Sequence, residues 1–215
     1  TVSGSDGTKA KGAGEMKKTL ILLAGDPGTG KTYMCNKLLE QEKDFQVISQ
    51  DDMKEQLWDE FGFDNMEEKT ALENKSWTLY YEQIEDAMNQ GKRLVSDYPF
   101  SEKQRGKLKR LCEEYGYQPV TIRLVGDLEV LFGRSKQRDL DTSRHLGHVV
   151  SRYHKGDVLL DRTKGDCFVD YDIFMDRCRN RGYGEFCLGK LIEVDVTDYS
   201  KIDYDKILGQ LKKWL

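Results

Sequence analysis

The sequence predicts an α/β protein of three layers: a parallel sheet, helices on both of its faces, and a helical lid over one end. Between Leu20 and Val125, short apolar runs alternate with helical periods at the spacing of βαβ units, which implies parallel pairing. A glycine loop, Gly25-Asp26-Pro27-Gly28-Thr29-Gly30-Lys31-Thr32, lies between an apolar run and a helical period. It fits G-x-x-x-x-G-K-[ST] at every fixed position. Two further strands end in acids, Asp51-Asp52 and Asp97, and open sheets of this kind gather their ligands at the carboxyl ends of the strands.

The chain has 215 residues, enough for one domain with a sizeable core. Residues 1–15 are mostly Gly, Ser, Lys and Thr without periodicity and read as a flexible leader left over from expression, so the domain is taken as 16–215. The formal charge of −4, from 34 basic and 38 acidic residues, gives no long-range attraction for nucleic acid. No apolar run approaches the roughly 18 residues of a membrane span, so a membrane partner is not expected. The five cysteines form no C-x-x-C pair and read as reduced thiols of a cytoplasmic protein. The spacing of Cys167, Cys178 and Cys187 matches no usual pair of zinc ligands.

Leu20 to Ala24 is the first strand, buried and continuous. The helix after the loop carries Met34, Leu38 and Leu39 at helical spacing. Phe45 to Ser49 is the second strand, and a helix begins at about Met53 and runs through Leu57 and Trp58. Asp51 and Asp52 can cap that helix, complement its dipole, or act in a site. From Met66 to Asn89 runs a long helix with Leu72, Trp77, Tyr80, Tyr81, Ile84 and Met88 on one stripe, and Gly91 ends it. Lys92 to Asp97 is the third strand, Gln104 to Tyr115 a basic amphipathic helix closed by Gly116, and Pro119 to Val125 the fourth strand. Asp127 to Arg138 is helical, with Arg134 and Arg138 sharing a face. The segment 127–184 reads as the lid and substrate region, rich in charge and, from Leu159 to Gly184, without a clean period. Lys190 to Val196 forms the last strand. Tyr204 to Leu215 forms the last helix, with Ile207, Leu211 and Leu215 on its core stripe.

The chemistry starts at the loop. Backbone N–H groups of Gly25 to Thr32, with the helix N-terminus behind them, make a cradle for a β-phosphate. Lys31 adds a point charge between β- and γ-phosphates, and the Thr32 hydroxyl is placed to ligate Mg²⁺. Neither the D-x-x-G nor the N-K-x-D element of a GTPase occurs in usable context, and the strand ending Ser96-Asp97-Tyr98 lacks the Asp-Glu of a mechanical ATPase. Phosphoryl transfer to a small acceptor remains. It needs a donor site, an acid opposite the γ-phosphate, and lid cations. Asp51, Asp97 and the loop should meet in one cleft. His145, His148 and His154, with Arg144 and Arg152, are candidate acceptor contacts; His145 and His148 could share a helical face, but Mg²⁺ prefers oxygen ligands.

Gly25 to Thr32, then Ser49-Gln50-Asp51-Asp52-Met53-Lys54, then Val95-Ser96-Asp97, then Arg134-Ser135-Lys136-Gln137-Arg138 resembles the kinase module of phage-type polynucleotide 5′-hydroxyl kinases. The same order is similar to that of the zeta toxin and chloramphenicol phosphotransferase group. The likeness spans about Met16 to Arg138. It implies a P-loop kinase fold, with ATP and Mg²⁺ as cofactors, Asp51 as general base on the acceptor hydroxyl, and Asp97 positioning the acceptor or the metal shell. It also implies that Arg134 and Arg138 clamp the donor phosphates. Lys54 stands where the polynucleotide kinases carry an arginine for the substrate's 3′-phosphate, and a lysine lacks the two-pronged grip. With the acidic balance of the chain, this favours a small-molecule or nucleotide-like acceptor. A polynucleotide 5′-hydroxyl kinase and a non-catalytic ATP-binding regulatory module are the alternatives.

Overall fold

The computed structural model describes residues 17–215; the leader expected over residues 1–15 lies outside the described residues. Strands β1 (Thr19–Gly25), β2 (Phe45–Val47), β3 (Arg93–Asp97), β4 (Gln118–Val125) and β5 (Lys190–Asp195) form one sheet in the order β2-β3-β1-β4-β5. Every pairing in it is parallel. All seven residues of the central strand β1 are buried. A parallel strand covered on both faces has no solvent side to spend polar residues on, so it reads as an unbroken apolar run.

The helices are α1 (Lys31–Gln41), α2 (Gln50–Phe61), α3 (Met66–Asn89), α4 (Glu102–Tyr115), α5 (Leu128–Leu140), α6 (Tyr171–Asn180) and α7 (Tyr204–Leu211). Ile21 and Leu23 of β1 face one core with Leu38 of α1, Leu131 of α5, Phe174 of α6 and Leu208 of α7. Leu20, Leu22 and Ala24 face the other, with Tyr80 and Ile84 of α3 and Leu108 of α4. Burying one such large side chain contributes about 1.5–3 kcal/mol. A third cluster, Trp58, Phe63, Leu146, Val149 and Tyr153, fastens the loop after α5 to α2. Among the described residues no helix is long and apolar enough to cross a membrane.

Several elements differ from the sequence reading: β2 ends at Val47 rather than Ser49, and α4 begins at Glu102 rather than Gln104. Helix α2 begins at Gln50, not Met53, because Ser49 is already extended and its carbonyl accepts from Met53 N at 3.4 Å. Asp51 and Asp52 therefore sit in the first turn of a helix rather than at a strand end, where carboxylates favour the dipole. Helix α7 stops at Leu211, short of Leu215. Helix α6 lies in the stretch without a clean period. It is only ten residues long, with Phe174, Met175 and Cys178 buried among charges, and is opened by Asp170, whose side chain accepts from Ile173 N at 2.8 Å.

Candidate active site

The glycine loop joins β1 to α1 over the carboxyl edge of the sheet. Gly28 has φ +86°, and a Cβ there would meet the Leu131 carbonyl oxygen of α5 at 2.3 Å, so the loop lies against that helix in a conformation only glycine takes easily. Thr29 Oγ1 donates to Asp26 O at 2.8 Å and tightens the turn. Lys31 Nζ donates to Gly25 O and Asp26 O, both at 2.9 Å. Burial lowers the Lys31 pKa to about 8, with Arg138 acting in the same sense and Asp97, Asp26 and Asp51 opposing. Thr32 Oγ1 donates to Asp97 Oδ2 at 3.0 Å, so the loop hydroxyl and the acid ending β3 already share one point.

Pro27, Gly28, Gly30, Lys31 and Thr32 line a cavity of about 650 Å³ together with Asp51, Lys54, Asp97, Arg134, Arg138, Arg144 and His148. Gly25, Asp26 and Thr29 do not line it and shape the loop from beneath. Asp26 is buried and its Oδ1 has no partner; burial raises its pKa, against the opposing pull of Cys178 and Lys31. A smaller cavity of about 270 Å³ adjoins, sharing Thr32, Asp51 and Asp97 and adding Asp52 and Glu55. Burial raises the Asp52 pKa, and the neighbouring Glu55, Asp97 and Asp51 raise it further.

Asp51 is held by Lys54, whose Nζ lies 2.6 Å from its Oδ1. Burial opposes the charge on Asp51, but Lys54, then His148 and Arg144, outweigh it and keep the carboxyl well below the usual range. Burial likewise works against the charge on Lys54, and Asp51 overcomes it, so the Lys54 pKa is raised. Arg144 pairs with Asp139. Arg138 also lines the cavity, its pKa drawn down by burial and by Arg144. Arg134 is committed elsewhere: Nη1 donates to Val196 O at 2.6 Å, Nη2 to Thr197 O at 2.8 Å, and its guanidinium lies 3.7 Å from the Tyr199 ring centroid.

The histidines separate. His148 Nε2 lies 2.7 Å from Glu55 Oε1, its ring against Trp58, and burial lowers its pKa. His145 Nε2 lies 3.0 Å from Asp59 Oδ1, while Arg152 and His154 both meet Asp64 at 3.0 Å, and none of these three lines the cavity. His145 caps and His148 ends a short 3-10 turn, Leu146–His148, instead of the two sharing an α-helical face. Among the described residues no group of three or more His, Cys, Asp or Glu is placed to hold a metal, and the five cysteines are free.

Among the lining residues the sequence reading did not single out are Arg177, Arg181, Tyr183 and Tyr199. The first two needed α6, whose only clear signal was the capping Asp170. Tyr199 lies in a 3-10 turn after β5, its hydroxyl 3.4 Å from Gly28 O.

The parallel sheet, the loop and the cleft above it define a P-loop kinase-like fold. The model of the AAA domain family matches residues 20–155, and the chain belongs to that family. Among solved structures, a candidate kinase from Chloroflexus aurantiacus is 24% identical, with a TM-score of 0.73, over 92% of this chain and 98% of that one. A gluconokinase from Sinorhizobium meliloti is 14% identical, with a TM-score of 0.51, over 91% and 94%. The Pnkp1/Rnl/Hen1 RNA repair complex matches at 15% identity and a TM-score of 0.57, over 82% of this chain and 48% of that one. These likenesses show the fold. No curated protein sequence matches the chain.

Proposed function

We propose that the chain is an ATP- and Mg²⁺-dependent phosphotransferase that moves the γ-phosphate to a hydroxyl group of a small-molecule or nucleotide-like acceptor. One observation carries the reading: Lys31 and the Thr32–Asp97 pair share a cleft with Asp51, a carboxylate kept ionised by Lys54 at 2.6 Å. The loop fits a phosphate, since Gly28, Gly30, Lys31 and Thr32 all line the cleft. Lys31 now bonds two loop carbonyls that a phosphate would replace. Thr32 and Asp97 are hard oxygen donors suited to Mg²⁺. When bound there, Mg²⁺ would neutralise charge on the transferring phosphate.

Asp51 accepts the proton of the acceptor hydroxyl as its oxygen bonds to the γ-phosphorus and the bond to the bridging oxygen breaks, releasing ADP. Lys54 orients Asp51 and holds it charged. Arg138 supplies the cation for the transferring group. Arg134, with both terminal nitrogens engaged, fixes the segment after β5 and sets Tyr199 beside the loop, a positioning role in place of the clamp expected from its order in the chain.

Transfer of labelled γ-phosphate from MgATP into a mixed panel of oligonucleotides, nucleosides, sugars and hydroxylated antibiotics tests this. Asp51→Asn should lose transfer by about 10²- to 10⁴-fold, the usual contribution of a general base, while keeping ATP affinity. Full transfer by Asp51→Asn would remove the base assignment. Tight ATP binding with neither label on any acceptor nor hydrolysis above the Lys31→Ala background would point to a regulatory module.

A further inference from the structure

The cavity holds more positive charge than a donor nucleotide uses. Seven Lys or Arg side chains line it against four carboxylates, an excess of three. MgATP brings about two negative charges, and its phosphates are served by the loop, Lys31 and a lid arginine. The charges acting most strongly on Lys31 are those of Arg138, Asp97, Asp26 and Asp51. Arg177 and Arg181 line the wall made by α6, in its last turn and cap, on the helix whose Cys178 reaches Asp26 of the loop. They are four residues apart and so share a helix face. Among the described residues neither forms an ion pair; Arg177 is half-buried and Arg181 exposed.

That wall is continuous with the base. Tyr98 packs near Lys54, whose Nζ is 5.8 Å from its ring centroid, and Tyr183 lines the same cavity. The Tyr183 hydroxyl in turn accepts from Arg181 Nη1 at 3.1 Å. Asp51, Lys54, Tyr98, Tyr183 and Arg181 thus form one surface leading from the attacking hydroxyl's position to two guanidiniums without carboxylate partners. Cations at a helix C-terminus also favour its dipole, but that role needs no burial and no shared hydroxyl.

We infer that the acceptor is anionic: a hydroxyl compound that carries a second, carboxylate or phosphate group, gripped by Arg177 and Arg181 while its hydroxyl meets Asp51. The inference rests on the phosphotransferase reading and deepens it. Guanidinium pairs suit planar or tetrahedral oxyanions because they donate two bonds at once.

The test uses the whole chain and matched acceptors, gluconate against glucose and adenosine 3′-monophosphate against adenosine. Calorimetry measures their binding to protein loaded with a non-hydrolysable ATP analogue, and labelled MgATP measures transfer. The anionic member of at least one pair should bind about tenfold or more tightly than its neutral parent, a difference of about 1.4 kcal/mol. Arg177→Gln/Arg181→Gln should abolish that preference and shift the MgATP Kd less than about twofold, and Arg177→Lys/Arg181→Lys should restore part of it. Absence of an anion preference in both pairs overturns the inference. So does weakening of MgATP as large as that of the acceptor, which would give the arginines to the donor. Arginine-dependent anion binding without label transfer leaves the anion site standing and overturns the phosphotransferase reading instead.

Discussion

Lys54 decides how Asp51 works. Burial is the largest influence on the Asp51 carboxyl and acts to raise its pKa; the ammonium 2.6 Å away leads the opposing charges, with His148 and Arg144, that reverse the sign. Replacing Lys54 with Met removes the largest of the opposing charges and leaves those of His148 and Arg144, so the pKa of the base rises and activity is lost as pH falls through the new value. The acid limb of the pH–rate profile should move to higher pH than in wild type. An unmoved acid limb in the pH–rate profile would show that Lys54 does not tune the base. Lys31 makes the opposite case. Its folded pKa of about 8 lies below the ordinary 10.5, so between these values the unfolded chain binds more protons, and this residue's effect on stability becomes more favourable as pH rises. A bound phosphate requires the charged amine. Binding of MgATP at pH 9 should therefore take up close to one proton, and affinity should fall above about pH 8. Calorimetry in buffers of different ionisation enthalpy reads the uptake directly, and zero uptake would contradict the lowered value.

Placing these side chains is the work of the helices that meet the loop. Helix α5 touches Gly28 through its own backbone, so Gly28→Ala must move the loop or the helix. A residue forced to φ near +86° adds about 1–2 kcal/mol of strain. MgATP affinity should fall at least about tenfold with the melting transition still cooperative; unchanged affinity would mean that the loop is not clamped by α5. Much of this scale was legible. The stripe Tyr80, Ile84 and Met88 is buried as its spacing required, and Met66 and Asn89 bound α3 where the pattern did. The loop motif, with strand and helix on either side, located the cleft. What was not legible was short or tertiary. The three buried residues of α6 are too few to show a period, and the commitment of Arg134 to Val196 and Thr197 joins positions more than sixty residues apart. A motif read in order cannot distinguish a guanidinium bound to carbonyls from one free for phosphate.

At the scale of the whole molecule, a net charge of −4 surrounds a cleft whose own cations exceed its carboxylates by three. The sheet makes this possible: parallel strands in the order β2-β3-β1-β4-β5 bring the loop after β1, the first turn after β2 and the acid ending β3 to the same edge. The lid then adds arginines from above, tied down by the cluster around Trp58. Attraction for an anion is consequently local. The Debye length is about 8 Å at physiological salt, so a compact acceptor is held by contacts inside the cleft, while an extended polyanion would also meet the acidic exterior. Raising salt from 50 to 300 mM should change kcat/KM for a small acceptor by less than about tenfold. A chain of nucleotides neutralising several phosphates would lose about 10³-fold or more over a similar range. A steep slope, measured on an oligonucleotide that outcompetes every small acceptor, would move the assignment to a polynucleotide kinase and require a basic track outside the cleft.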